Sequence, residues 1–75
     1  MPTIIRENGF EIRIYTDDHE PPHVHIYKSG KRAKMTLQPV VVIATEMNMK
    51  QTKQVELLVY KHLDKLLEAW KFYNG

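Results

Sequence analysis

The hydrophobic pattern changes its period once along this chain, and that single change limits what the chain can fold into. Through most of the stretch from Thr3 to Leu37 apolar residues alternate with polar ones, whereas from about Met49 to Tyr73 they recur at spacings of three and four. A period of two belongs to strands with one buried face, and a period near 3.6 belongs to a helix with one apolar stripe. Strands first and a helix last predict an α+β domain: a small, mostly antiparallel β-sheet of about five strands covered by one long C-terminal helix. With 75 residues the chain has room for one domain, 1–75, and for a thin core.

Thr3 to Glu7 is a short apolar strand, Asn8-Gly9 is the strongest two-residue hairpin signal, and Phe10 to Tyr15 alternates behind it. Phe10, Ile12 and Ile14 are expected to face the core, with Glu11, Arg13 and Tyr15 outward. A third strand runs from about His23 to Lys28, with Val24 and Ile26 inward. Ser29-Gly30 turns the chain into a fourth, Arg32 to Leu37, with Ala33, Met35 and Leu37 inward. Gln38-Pro39 interrupts pairing, because proline has no N–H for the ladder. Val40 to Ala44 is then a continuous apolar run, the pattern of a fifth strand covered on both faces.

The helix places Val55, Leu58, Val59, His62, Leu63, Leu66, Leu67, Trp70 and Tyr73 on one stripe. An Asn48 cap with Gln51 three residues later starts it, and Asn74-Gly75 stops it. Leu57 and Tyr60 fall off the stripe and are expected in an exposed patch suited to association. His62 lies on the stripe and is expected to be a hydrogen-bonded core residue rather than a ligand.

Chemistry concentrates in Asp17-Asp18-His19-Glu20-Pro21-Pro22-His23-Val24-His25, which holds three of the four histidines, three carboxylates and two of the four prolines. The prolines fix two φ angles and push Glu20 and Pro21 toward extended conformations, so the loop is stiff. At the strand period His23, His25 and Tyr27 share one face. Two imidazoles on one face can reach a common metal ion or anion, and His19 with the carboxylates of Asp17, Asp18 and Glu20 lies within one loop turn. His19, His23 and His25 are therefore candidate ligands of a divalent transition metal of the zinc, nickel, copper or iron type. The plainer alternative is that these histidines only hydrogen-bond the loop and flank a sheet.

The net charge of +2 is too small to require a nucleic-acid partner, but its distribution is uneven. Glu11, Asp17, Asp18 and Glu20 precede Lys28, Lys31, Arg32 and Lys34, a basic cluster able to contact phosphates; the alternative is a solvated hairpin protected by its lysines. With no cysteine there is neither a disulfide nor a thiol nucleophile, which fits a reducing compartment. Met1 to Arg6 lacks the apolar run of a signal peptide, and no apolar stretch is long enough to span a bilayer. The expectation is a cytoplasmic protein without membrane contact.

The opening Met1-Pro2-Thr3-Ile4, the Gly9-Phe10 hairpin, the block Asp18 to His25, the Pro39-Val40 pair and Leu66-Leu67-Glu68-Ala69-Trp70 together resemble a family of small bacterial proteins known as domain of unknown function 4160. The chain departs from that pattern around Thr45 to Met49, where many members are more polar or carry glycine. The resemblance implies that His19, Glu20, His23 and His25 are the distinctive polar residues. It also implies a component of a toxin-antitoxin-like two-gene module, acting through a small partner protein.

Three functional expectations follow. In the first, the module component acts on RNA, with His19, Glu20, His23 and His25 as the catalytic group. The histidine pair serves as general base and acid, while Lys28, Lys31, Arg32 or Lys34 stabilises phosphorane charge. In the second, His19, His23 and His25 bind a metal and Glu20 orients a water or ligand, as in a small metal-dependent hydrolase or a regulatory metal protein. In the third, the loop only rigidifies an interface with a partner protein.

Overall fold

The computed structural model describes residues 3–74. Gly75, half of the expected helix stop, lies outside the described residues, as do Met1 and Pro2. Five strands form one antiparallel sheet in chain order: β1 (Thr3–Glu7), β2 (Phe10–Arg13), β3 (His23–Lys28), β4 (Lys31–Leu37) and β5 (Val40–Thr45). Two helices follow, α1 (Met49–Lys61) and α2 (Leu63–Asn74). No helix among the described residues is long and apolar enough to cross a membrane.

Two of the turns are built by residues that tolerate positive φ. Asn8 and Gly9 sit at φ 54° and 80°, and Ser29 and Gly30 at 51° and 78°. Positive φ at both central positions is the condition for a two-residue hairpin whose twist matches the flanking strands. They join Glu7 to its partner Phe10 and Lys28 to its partner Lys31. Gln38-Pro39 makes a third two-residue connection, with Leu37 opposite Val40.

The core lies on one side of the sheet. Phe10, Ile12, Ile14, Val24, Ile26, Met35 and Leu37 meet Val55, Leu58, Val59, Leu66 and Trp70, all fully or nearly fully buried. Leu57 and Tyr60 stay exposed, as the helical period requires. Asn48 caps α1: its side chain accepts from the Gln51 N–H, and Gln51 returns a bond to the Asn48 N–H.

Two expectations are corrected. The C-terminal segment is two helices rather than one, broken at His62, which takes φ −108° and ψ 20°. A straight helix over Met49–Asn74 would extend about 39 Å, whereas the longest dimension of the molecule is 32 Å. The break keeps both apolar stripes on the sheet, and Glu7 pins it by accepting from Lys61 Nζ at 2.9 Å and pairing with His62 Nε2 at 3.0 Å. The fifth strand is not covered on both faces. It is a sheet edge, the helices occupy one face only, and Val41 (48 % exposed) and Ile43 (54 %) look away from them. A register shift between Lys34 and Met35 places Met35 opposite Val42 and Lys34 opposite Ala44, so Ile43 is passed over in the pairing.

Leu66→Ala is expected to lower stability by about 2–5 kcal/mol by opening a cavity under α2, and Leu57→Ala by less than about 0.5 kcal/mol. Urea denaturation checks both; equal losses would mean that the helices pack on other faces.

Candidate functional site

Ile14 to Pro22 forms the loop between β2 and β3. Thr16 and Asp17 turn it, with Asp17 in the left-handed region at φ 56°, a conformation that aspartate tolerates better than most residues. The end of α2 then holds the loop at two points: Asn74 Oδ1 accepts the Asp18 N–H at 2.7 Å, and Asn74 Nδ2 donates to the Tyr15 carbonyl at 3.0 Å. These bonds turn the Asp18 carboxylate toward β3.

On β3 the strand period sets His23 and His25 side by side, with ring centroids 5.1 Å apart. His23 is only 4 % exposed and is the one buried polar residue among those described. Its Nδ1 lies 2.8 Å from the Pro21 carbonyl oxygen, which can only accept, so Nδ1 carries the proton. In the neutral ring Nε2 therefore presents its lone pair. Asp18 Oδ2 is 2.9 Å from that nitrogen, yet Nε2 has no hydrogen bond of acceptable geometry. A lone pair and a carboxylate oxygen this close repel unless a proton or cation lies between them.

His25 Nε2 approaches the same Asp18 Oδ2 at 3.3 Å. The three donor atoms all lie within 4.8 Å of one another. Ligand atoms around a tetrahedral zinc with bonds near 2.0 Å stand about 3.3 Å apart, close to the two separations from Asp18 Oδ2. Tyr15 lies parallel over His25, centroids 4.2 Å apart at 16°, and Trp70 covers His23 at 5.1 Å. The two tyrosine hydroxyls of Tyr15 and Tyr27 bond to each other, and the Arg13 guanidinium sits 4.1 Å above the Tyr27 ring.

Burial is the main influence on His25 and pushes its pKa below the usual 6.5; the Asp18 hydrogen bond opposes this, and the charges of His23 and Lys34 add to it. For Asp18, burial acts upward, but the His19 N–H, the His25 hydrogen bond and the charges of His23 and His25 outweigh it and leave its pKa below 3.8. At neutral pH the site thus offers a carboxylate and a neutral His25 imidazole, the forms that bind metals.

Of the residues singled out from sequence, His23 and His25 converge. His19 and Glu20 are exposed, and Glu20 makes only a long 3.4 Å contact to Trp70 Nε1. The position expected of His19 is taken by Asp18, one of three carboxylates in the loop that spacing alone could not rank. Tyr15, Trp70 and Asn74 carried no signal as site residues, since each already had a structural reading. The basic cluster divides: Lys28 bonds the Asn8 carbonyl at 2.9 Å and caps the Phe10 ring, and Lys31 is exposed at the hairpin tip. Arg32 and Lys34 instead line an open groove of about 450 Å³ with Tyr15, His25 and Tyr27. His62 pairs with Glu7, at the helix break and apart from this group.

Both titrations have one sign. The unfolded chain binds more protons than the folded one at His25 and Asp18, so their contribution is full above about pH 6.5. It is lost as pH falls through the lowered His25 value, and again below 3.8 at Asp18. Denaturant midpoints between pH 8 and 3 should fall in that order, with the first step absent in His25→Gln; a first step retained in that variant would place the titration elsewhere.

A sequence model of the Domain of unknown function (DUF4160) matches residues 9–71. No curated protein matches the chain, and no solved structure matches it. The Asp18, His23 and His25 cluster and most of the sheet and helices lie inside the matched span, and the chain belongs to the DUF4160 family.

Proposed function

We propose that this protein binds a divalent transition metal, zinc or a similar ion, through Asp18 Oδ2, His23 Nε2 and His25 Nε2. The observation that carries the reading is the His23 ring. Its Nδ1 is committed to the Pro21 carbonyl, and its Nε2 is buried with no hydrogen-bond partner beside a carboxylate. Metal-bound histidines characteristically donate their other N–H to a carbonyl or carboxylate, which fixes the tautomer and aims the lone pair. Three protein donors leave at least one coordination position on a tetrahedral ion. The groove beside His25 makes that position the place for a water or an anionic ligand, which the ion would polarise as a Lewis acid. Burial argues against the general acid–base alternative, because His23 Nε2 has no access to a substrate proton.

A second reading, the component of a toxin-antitoxin-like module that acts through a small partner protein, takes its identity from the family resemblance. Leu57 (70 % exposed) and Tyr60 (58 %) favour it, since they lie one turn apart on the outer face of α1. Co-expression with the protein encoded beside it should give a complex that Leu57→Asp with Tyr60→Asp dissolves; co-elution unchanged in that double variant would contradict this surface.

For the metal reading, zinc titration calorimetry at pH 7 should give one ion per chain. Asp18→Asn and His25→Ala should weaken it by more than about 100-fold, while His19→Ala leaves it unchanged. A metal present at 100 times its Kd should also raise stability by about 2.7 kcal/mol. Equal affinity in wild type and Asp18→Asn would sink the assignment.

A further inference from the structure

The helices leave the second face of the sheet open, and pairing register arranges its side chains in two rows. Arg13, His25, Lys34 and Ala44 stand opposite one another across β2 to β5. Glu11, Tyr27 and Arg32 form the adjoining row. Residues directly opposite on antiparallel strands share a face, so rings and cations interleave on this surface. The groove of about 450 Å³ opens along it, and His25 belongs both to the groove and to the metal cluster.

The cations differ in their commitments. Arg13 pairs with Glu11 at 2.8 Å, and Arg32 lies 3.7 Å from Glu46. Lys34 has no carboxylate partner among the described residues, although it is half-buried and stands directly across from His25. An uncommitted ammonium beside a candidate metal position asks for an anion, and the rings of Tyr15 and Tyr27 ask for planar apolar surface next to it. A nucleotide chain offers both, phosphate and base face. A duplex offers only phosphates to a sheet, because its bases are stacked inside.

We infer that the open face of the sheet, centred on Tyr27 and Lys34, binds single-stranded nucleic acid and presents a backbone phosphate beside His25. The inference builds on the metal-centre reading, to which it supplies the ligand class. Unpaired bases stack in the groove against the half-buried rings of Tyr15 and Tyr27, as on other single-strand platforms, and Lys34 neutralises the phosphate nearest the cluster. Arg32 contributes a second phosphate contact at the groove rim.

The test is fluorescence anisotropy with a labelled oligouridine of about 12 nucleotides, within the span of one single-strand-binding fold, against an RNA duplex of equal length. Each is titrated with the protein in chelator and again with one equivalent of zinc. Expected are preference for the single strand and a log–log salt slope of about −1.4, from two phosphate contacts. Tyr27→Ala and Lys34→Ala should each weaken binding about tenfold. Tyr27→Phe, which keeps the ring and loses only the hydroxyl bond to Tyr15, should bind as wild type, and so should Lys53→Ala on the opposite layer. Binding that persists in chelator supports the groove even if zinc calorimetry shows no ion. Zinc binding without oligouridine binding overturns the groove alone. Equal affinity for the duplex, or unchanged binding in Lys34→Ala and Tyr27→Ala, overturns it as well.

Discussion

The hydrogen bond between His23 Nδ1 and the Pro21 carbonyl is the contact on which the candidate site depends. It ties a strand residue to the loop just before it, selects one tautomer, and leaves a buried nitrogen without a hydrogen bond, 2.9 Å from the Asp18 carboxylate. Pro21 and Pro22 stiffen the segment that supplies the acceptor. Trp70 closes over the ring from α2, and Asn74 at the end of the same helix anchors the Asp18 side of the loop. The site is therefore assembled from three places in the chain, and it exists only when α2 is docked.

The remaining architecture follows from how few helical residues there are. One layer covers one face of five strands, and bending at His62 lets α1 pack on β5 and α2 on β4 without overrunning the sheet. The other face keeps its polar and aromatic residues, and those of β2 to β4 surround His25. Exposure of Val41 and Ile43 is a consequence of the same one-sided cover.

Local patterns carried the strands and turns: Asn8-Gly9 and Ser29-Gly30 are chemically suited to positive φ, and the period of two placed Ile12, Val24 and Met35 inward, where they lie. The helix break is not legible, because the Glu7 that pins it stands 55 positions from His62 in sequence. The one-sided cover of β5 is not legible either, because a run of Val and Ile looks the same at a sheet edge as at its centre. In the histidine loop, sequence supplied His23 and His25 through their spacing. The choice of Asp18 over His19 depends on a left-handed Asp17 and on Asn74, more than 50 residues away, and no local rule contains either.

X-ray absorption at the zinc edge, on protein loaded with one equivalent of zinc, reads the ligands of the site directly. A zinc ion held by Asp18, His23 and His25 gives a four-coordinate pattern with two imidazole nitrogens and one carboxylate oxygen at about 2.0–2.1 Å, and the imidazole scattering is lost in His23→Gln combined with His25→Gln. A shell of oxygens alone, or an imidazole pattern that survives that double variant, would contradict it.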